Sequence, residues 1–312
     1  MRRIAGSLVM AGVVCCTGFV ATTARAQEPA RQAAQNGATV ASAPAPVPPA
    51  AEQSAAEEPT PKRVTMAAGF DFASAYIFRG ICQEDRGVIV PPFVDVGVAL
   101  YEGTGALKGI SVNGGIWNSL HSGPSGNSGR GNAWYEADYY GAVTFTFGRW
   151  KPGALFTSYT SPNDAFRSVH ELAAVLAYDD SASPFPLSPK ATLAFELKGQ
   201  ADGGSNNGTY LELGVRPVLK VIDADRYPLS LAIPVKLGLS VKDYYEGPTG
   251  SNRFGYFDTG LVASVPLAFM PSKTAWEVHG GVDFLWFGDN LRLLNHSDRV
   301  KPVGILGLSV TY

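Results

Sequence analysis

The sequence has little cysteine: only three of its 312 residues are cysteines, and two of them lie within the first 26 residues. Those residues begin with Arg2-Arg3, continue as an apolar run and end at the small-x-small site Ala24-Arg25-Ala26, which is the pattern of a cleaved secretory signal peptide. Cys82 is then the single cysteine of the mature chain. One cysteine excludes an internal disulfide and a structural zinc site as constraints on the fold.

Charge and long apolar runs are also scarce. Only 17% of the residues are charged, and no apolar run beyond the predicted signal approaches the ~20 residues that a membrane-spanning helix needs. The lack of such a run excludes a helical membrane protein. The chain is instead rich in glycine, tyrosine and phenylalanine, with 35, 13 and 16 residues, and this composition favours strands joined by turns.

A basic excess is absent as well. Loss of Arg2, Arg3 and Arg25 with the signal leaves 22 basic residues against 27 acidic ones, which argues against nucleic acid as a partner. The four histidines do not have metal-ligand spacing, and the glycine clusters lack the strand-GxxxxGK-helix context of a phosphate loop. The sequence therefore predicts no metal, no cofactor and no catalytic residue.

The segment 27–63 differs in composition from the rest of the mature chain. It is rich in alanine, proline, glutamine and glutamate and has no aromatic residue. Such a segment has too little apolar surface to offset the entropy of ordering it. We predict a disordered Ala/Pro-rich tether, partly in polyproline conformation, that lies in the periplasm.

Residues 64–312 break into about twelve stretches in which apolar and polar residues alternate, separated by clusters of Gly, Asp, Asn and Pro. The clearest stretch runs from Leu229 to Val241 and contains Pro234, where a β-bulge is expected because proline cannot donate to a ladder. Long polar connections alternate with short turns, as they do at the two ends of transmembrane barrels. The predicted fold is all-β, an antiparallel transmembrane β-barrel of about 12 strands.

The distribution of charge separates a barrel in lipid from a soluble sheet sandwich, which would show the same alternation. Ionisable residues occupy the middles of strands on one face only, and a charge facing lipid at mid-depth would cost about 2 to 4 kcal/mol. Aromatic residues gather at strand ends, where two interfacial girdles would place them. Those predicted for the girdle near the long loops are Trp134, Tyr135, Tyr244, Tyr245, Trp286 and Phe287.

The polar faces are predicted to line the lumen of this barrel. The predicted lumen residues are Asp71, Asp95, Glu136, Asp138, Glu196, Lys198, Glu212, Arg216, Lys236, Asp258, Glu277 and Asp283. Glu171 is a further inward acid, and Arg79, Lys190, Lys220 and Lys242 are further inward bases. Ten acids against seven bases favour a mild cation preference if the lumen conducts ions.

The last segment, Lys301 to Tyr312, places apolar residues at alternate positions and ends on an aromatic residue. It resembles the C-terminal strand of bacterial outer-membrane barrels, and the resemblance implies recognition by the outer-membrane assembly machinery. The last strand of a soluble sheet would show the same alternation.

A second resemblance lies in the segment 74–83, which is similar to the Y-x-F-R-G-x-x-Q opening of the TorF-like porin family of Gram-negative bacteria. The matching residues are Tyr76, Phe78, Arg79, Gly80 and Gln83. Family members carry a signal peptide and are thought to form outer-membrane barrels, so the resemblance implies the cell outer membrane as location and, more loosely, transport. Cys82 stands where the family usually has serine.

Together these features predict a passive channel for small polar solutes, surrounded by outer-membrane lipid, and not an enzyme. Twelve strands imply a narrow lumen. One alternative is a sealed structural or adhesive barrel, whose inward charges pair with each other. A second alternative is a lipid-modifying enzyme, in which His170 acts with Ser158 or Ser168 near the outer rim.

Overall fold

The computed structural model describes residues 63–222, 228–248, 250–267 and 273–312. The predicted signal peptide and all of the predicted tether except Arg63 lie outside the described residues. Parts of two predicted short turns, residues 223–227 and 268–272, also lie outside them.

Strands form where apolar and polar residues alternate, because alternation places all the apolar side chains on one face of an extended chain. The strands are β1 Val64–Ala73, β2 Tyr76–Phe78, β3 Ile81–Glu84, β4 Ile89–Val90, β5 Pro92–Glu102, β6 Leu107–His121, β7 Trp134–Phe147, β8 Trp150–Thr160, β9 Val169–Tyr178, β10 Lys190–Lys198, β11 Thr209–Val215, β12 Val218–Ile222, β13 Leu229–Ala232, β14 Val235–Lys242, β15 Glu246–Gly247, β16 Gly250–Ser251, β17 Phe254–Pro266, β18 Ala275–Phe287 and β19 Val300–Thr311. A 3₁₀ helix spans Pro124–Asn127 and an α-helix spans Asp289–Leu294. No helix in the described residues is long and apolar enough to cross a membrane.

Within the described residues, twelve spanning strands close into a ring. Each pairs antiparallel with its neighbours, and the ring closes where β19 pairs with β1, with Phe70 opposite Leu308. β4 and β5 together form one spanning strand, as do β11 with β12 and β13 with β14. The prediction of an all-β antiparallel barrel of about 12 strands is confirmed.

Prolines explain two of the interruptions in the spanning strands. Pro217 separates β11 from β12, and Pro234 lies between β13 and β14 on the neighbouring strand. The pairing register is the same on both sides of the gap, since Val215 pairs with Val235 and Val218 with Ala232. The predicted β-bulge at Pro234 is therefore wrong. Two prolines at one level remove ladder donors without adding a residue to either strand.

The outer face of the ring is apolar over its whole circumference. Leu100, Leu197 and Leu306 are each more than half exposed on this face, whereas the lumen-facing residues beside them include Ala99, Glu196 and Gly307. Aromatic residues mark its two rims: Tyr101, Trp150 and Tyr312 are exposed at the short-turn end, and Trp134 and Trp286 at the long-loop end. This is the surface of a transmembrane barrel.

Four of the aromatic residues predicted for the outer girdle are instead buried inside the ring: Tyr135, Tyr244, Tyr245 and Phe287. A register shift between Ser119 and Leu120 in the β6–β7 ladder changes the alternation beside Tyr135. The two adjacent tyrosines follow β14 in a loop that folds over the lumen, where strand alternation does not apply. The girdle prediction is wrong for these four residues.

The outward face allows a direct test of lipid contact. Leu193 pairs with Leu211 on the outer face of β10, whereas the adjacent Thr192 pairs with Glu212 on the lumen face. We expect Leu193→Lys to destabilise the folded barrel by about 2 to 4 kcal/mol because its charge faces lipid. Thr192→Lys is the matched control and should cost much less, since its ammonium lies beside a carboxylate. Urea unfolding of the barrel in lipid vesicles measures both, and equal costs would contradict the assigned faces.

Candidate functional site

A short hairpin between β1 and β4 is the most unusual feature of the lumen. β2 and β3 pair only with each other, and Phe78 lies opposite Ile81. The two turn residues, Arg79 and Gly80, have φ angles of +39° and +85°, as a two-residue type I′ turn requires. Ile77, Phe78 and Ile81 are almost completely buried. We call the segment Tyr76–Glu84 the lumen hairpin.

The lumen hairpin contacts strands from different parts of the ring. The Tyr76 ring lies 5.4 Å from the Trp117 ring on β6, and the Phe78 ring lies 6.2 Å from the Tyr159 ring on β8. A Cβ atom added to Gly80 would come within 2.9 Å of the Tyr256 ring on β17. Because β6 and β17 belong to distant parts of the twelve-strand ring, the hairpin fills the lumen at its long-loop end.

The turn of the hairpin is fixed to the wall by the guanidinium group of Arg79. It donates two hydrogen bonds to the Glu171 carboxylate on β9, at 2.5 and 2.6 Å, and one to the Tyr244 hydroxyl at 2.8 Å. The guanidinium carbon also lies 4.2 Å from the centre of the Tyr210 ring. Bidentate geometry and low exposure make this ion pair much stronger than a surface pair.

The two legs of the hairpin are also hydrogen-bonded to the wall. The Tyr76 hydroxyl donates to Glu136 at 2.8 Å, and the Tyr135 hydroxyl donates to the Gln83 side chain at 2.8 Å. Both acceptors are buried. Each of the five residues that carry the family resemblance therefore has a structural role in this hairpin: two hydrogen bonds to the wall, one ion pair, one buried ring and one glycine turn.

Loops from the long-loop end cover the hairpin from outside. Asn295, after the short α-helix, accepts a hydrogen bond from the Cys82 amide at 2.7 Å and donates to the Gly80 carbonyl at 2.6 Å. The Glu84 carboxylate accepts from the Ser125 amide and hydroxyl, both at 2.8 Å. The Tyr245 hydroxyl donates to the Arg79 carbonyl at 2.9 Å. In this structure, the long-loop end is closed.

Cys82 lies on the second leg of the hairpin and is half-buried. Burial raises the pKa of its thiol to about 12, so the thiolate is rare at neutral pH and the thiol reacts slowly. Nearby, Lys301 donates a hydrogen bond to Asp85 at 2.7 Å and holds the pKa of that carboxyl below its ordinary value. As the only cysteine beyond the predicted signal peptide, Cys82 can report whether the hairpin is seated.

The half of the lumen near the short turns is lined by polar pairs between strands. His279 Nε2 lies 2.7 Å from an Asp71 carboxylate oxygen, and Lys236 donates to Asp258 at 3.1 Å. Asp95 accepts hydrogen bonds from the Asn113 amide at 3.0 Å and from the Tyr140 hydroxyl at 2.9 Å. Most of these side chains are only partly buried, whereas Asp258 is buried.

The structure places most of the predicted lumen residues on the lumen face but separates them into two groups. Glu136, Asp138 and Glu196 lie at the level of the hairpin, with Glu171, and are buried. The second group comprises Asp71, Asp95, Arg216, Lys236, Asp258, Glu277 and Asp283, of which Asp258 is also buried. Glu212 lies where the two groups meet, accepting hydrogen bonds from the Tyr210 and Tyr256 hydroxyls at 2.9 and 3.1 Å.

The prediction that Lys198 faces the lumen is wrong, because its side chain faces outward. The β9–β10 ladder shifts register between Glu196 and Lys198, so Glu196 pairs with Glu171 inside while Lys198 pairs with His170. The His170 ring stacks on the outward ring of Phe156. A register shift of one residue exchanges the two faces of a strand, and Lys198 is exposed on the outer rim.

Lys242 is turned outward in the same way. A register shift between Thr209 and Tyr210 places Lys242 opposite Thr209, whose other partner is the outward Phe195. Of the seven bases predicted for the lumen, these two therefore face the outer rim. The prediction from alternation fails at both positions because a bulge adds a residue to one strand only.

Sequence reasoning missed the tyrosines that surround the hairpin. Tyr159, Tyr210, Tyr244, Tyr245 and Tyr256 are all buried inside the ring. Two of them carried a signal: Tyr210 and Tyr256 lie two residues before the lumen acids Glu212 and Asp258, and therefore on the polar face of their strands. A large aromatic residue on a polar face predicts a filled lumen.

The residues weighed for catalysis do not form a catalytic arrangement. Ser158 and His170 lie opposite each other in the β8–β9 ladder, but no hydrogen bond joins them in the part of the chain that is described. His170 Nδ1 is buried without a hydrogen-bond partner, and the neighbouring Glu171 points into the lumen. In the described ranges, no group of three or more His, Cys, Asp or Glu residues is arranged to hold a metal ion.

Comparisons with known proteins find similarity in structure only. No family model and no curated protein sequence matches this chain. The NanC porin structure is similar at 12% identity and a TM-score of 0.38, covering 80% of this chain and 98% of that one. An outer-membrane channel from Pseudomonas putida F1 is similar at 11% identity and a TM-score of 0.43, covering 80% and 94%. The translocator domain of autotransporter NalP from Neisseria meningitidis is similar at 13% identity and a TM-score of 0.36, covering 80% and 88%.

Proposed function

We propose that this protein is an outer-membrane channel for small polar solutes and that the lumen hairpin closes it at the long-loop end. The observation that carries the proposal is the contrast between the two faces of the ring. Apolar side chains cover the outside, whereas carboxylates and the ammonium group of Lys236 line the inside. Charged side chains on the wall of a water-filled pore select which ions and polar solutes enter it.

A mild cation preference follows from the distribution of charge. Two of the seven predicted lumen bases, Lys198 and Lys242, lie on the outer rim, whereas the ten acids keep their inward positions. Arg79 forms an ion pair at 2.5 Å with Glu171, one of the ten acids, so this pair leaves the excess unchanged. The excess of negative charge in the lumen is therefore larger than the sequence suggested, and it favours the entry of cations.

A sealed structural barrel is the second candidate function, and the seated hairpin is the observation that favours it. Both functions predict a protein embedded in outer-membrane lipid, with the N-terminal tether in the periplasm and the long loops outside. They differ in whether the hairpin ever leaves the lumen. Current through planar bilayers distinguishes them, because a permanently sealed barrel cannot conduct.

Reversal potentials in a KCl gradient test the channel and its selectivity together. We expect brief openings of small conductance. Their reversal potential should have the sign expected when K⁺ is more permeant than Cl⁻. Glu277→Gln removes a half-buried lumen carboxylate and should shift the reversal potential toward zero, whereas Glu102→Gln, at an exposed turn, should not. Chloride selectivity would contradict the preference. No current even after the hairpin has been replaced would favour the sealed barrel.

A further inference from the structure

Two buried carboxyl groups beside the hairpin lack the partners that buried acids need. Glu136 and Asp138 occupy successive lumen-facing positions of β7, and both are almost completely buried. Glu136 Oε2 accepts from the Tyr76 hydroxyl, but Glu136 Oε1 and both oxygens of Asp138 have no hydrogen-bond partner. Buried polar atoms in folded proteins are nearly always paired, so three orphan oxygens at one place require an explanation.

Among the described residues, the ladder neighbours of Asp138 carry no charge that would compensate it. Asp138 pairs with Trp117 on β6 and with Tyr159 on β8, so its lumen neighbours in the ladder are aromatic. The base seated nearby is Arg79, and its guanidinium is occupied by Glu171 in a bidentate pair. Ionised carboxylates buried in a dry site without a base or metal are strongly unfavourable.

A proton shared by the two carboxyl groups would supply only some of the missing hydrogen bonds and would neutralise only one of the two charges. One proton between the two carboxyl groups would satisfy one oxygen of each residue. The second oxygen of Asp138 would still lack a donor, and one negative charge would remain without a base. A divalent cation such as calcium, bound between the groups, would give each of the three orphan oxygens a partner and would balance both charges, whereas a monovalent cation would balance one of them. Carboxylate oxygens are the preferred ligands of hard cations such as calcium and sodium.

We propose that Glu136 and Asp138 form a binding site for a small hard cation between the barrel wall and the lumen hairpin. Because Tyr76 donates to Glu136, the bound cation and the seated hairpin contact the same carboxylate. Cation binding therefore stabilises the seated hairpin, and removal of the cation favours its release. The site does not depend on whether the barrel conducts solutes.

Terbium(III), a luminescent substitute for calcium, tests this site directly in the detergent-solubilised barrel. Trp117, Tyr76 and Tyr159 surround the carboxylates, so terbium bound there will show emission sensitised by aromatic excitation. We expect added calcium chloride to displace this emission and to raise the melting temperature of the barrel. Both effects should be lost in Asp138→Asn and retained in Asp95→Asn, which changes a lumen carboxylate that already has two hydrogen-bond donors.

The possible results distinguish a cation site at Glu136 and Asp138 from terbium binding elsewhere and from neutralisation of the pair by protons. Glu136→Gln serves as a second variant if Asp138→Asn does not fold, and it should also abolish the sensitised emission. Equal emission in the Asp138→Asn and unmodified proteins would place terbium elsewhere and overturn the proposal. No emission in the unmodified protein, with a higher melting temperature in Asp138→Asn, would show that protons alone neutralise the pair. Whether the barrel conducts is decided separately by the bilayer currents, so failure of the cation site and failure of the proposed channel can be told apart.

Discussion

Arg79→Ala is expected to release the lumen hairpin and to speed the reaction of Cys82 with a maleimide at least about tenfold, because local opening controls access to a buried thiol. The substitution removes both hydrogen bonds to Glu171 and the contact with the Tyr210 ring. It also leaves the Glu171 carboxylate buried without a base. Breaking a buried ion pair on one side costs about 3 to 5 kcal/mol.

Two further variants show whether the ion pair is the cause. Arg86→Ala is the matched control, since Arg86 is an exposed arginine on the same connection and lies 3.9 Å from Asp85. Such a surface pair contributes about 0 to 1 kcal/mol, so the reaction rate should not change. The double variant Arg79→Ala with Glu171→Gln should recover stability, because no unpaired charge remains, while Cys82 stays reactive. An unchanged rate in Arg79→Ala would show that the covering loops alone hold the hairpin.

Replacement of the whole lumen hairpin is expected to have the largest effect on conductance. In a variant with nine Gly and Ser residues in place of Tyr76–Glu84, the buried side chains of Ile77, Phe78 and Ile81 no longer fill the lumen. The barrel itself should persist, because β2 and β3 form a separate two-stranded sheet without ladder bonds to the ring. Each buried apolar side chain that is lost costs about 1.5 to 3 kcal/mol, so a lower melting temperature should accompany a larger pore.

Single-channel recording in planar bilayers measures this change. We expect long-lived openings of larger conductance than those of the unmodified protein, with the same cation preference. The matched control replaces residues 181–187, an exposed turn at the opposite end of the barrel, with Gly and Ser. That control should leave the conductance unchanged. A hairpin-replaced barrel that folds but carries no current would mean that the covering loops and wall side chains seal the lumen, and the proposed channel would be rejected.

The alternation of residue types was enough to predict the barrel. In the C-terminal strand, Leu306 and Leu308 face outward opposite Phe72 and Phe70 of the first strand, as a closed ring requires. A period of two is a local property, and each strand carries it independently of the others. For the same reason, the lumen positions of Asp71, Asp258 and Asp283 could be read from their neighbours in sequence.

Only the tertiary structure shows that the lumen hairpin fills the lumen. The motif around Arg79 looks like part of a loop in the sequence, and its partners lie far away: Glu171 is 92 residues further on, and Asn295 is 215 residues from Gly80. Bulges likewise turned Lys198 and Lys242 outward, since one extra residue reverses a strand's faces. Side-chain alternation determines which residues can face inward. Which of them meet across the ring depends on strand register and loop folding, and those are properties of the closed barrel as a whole.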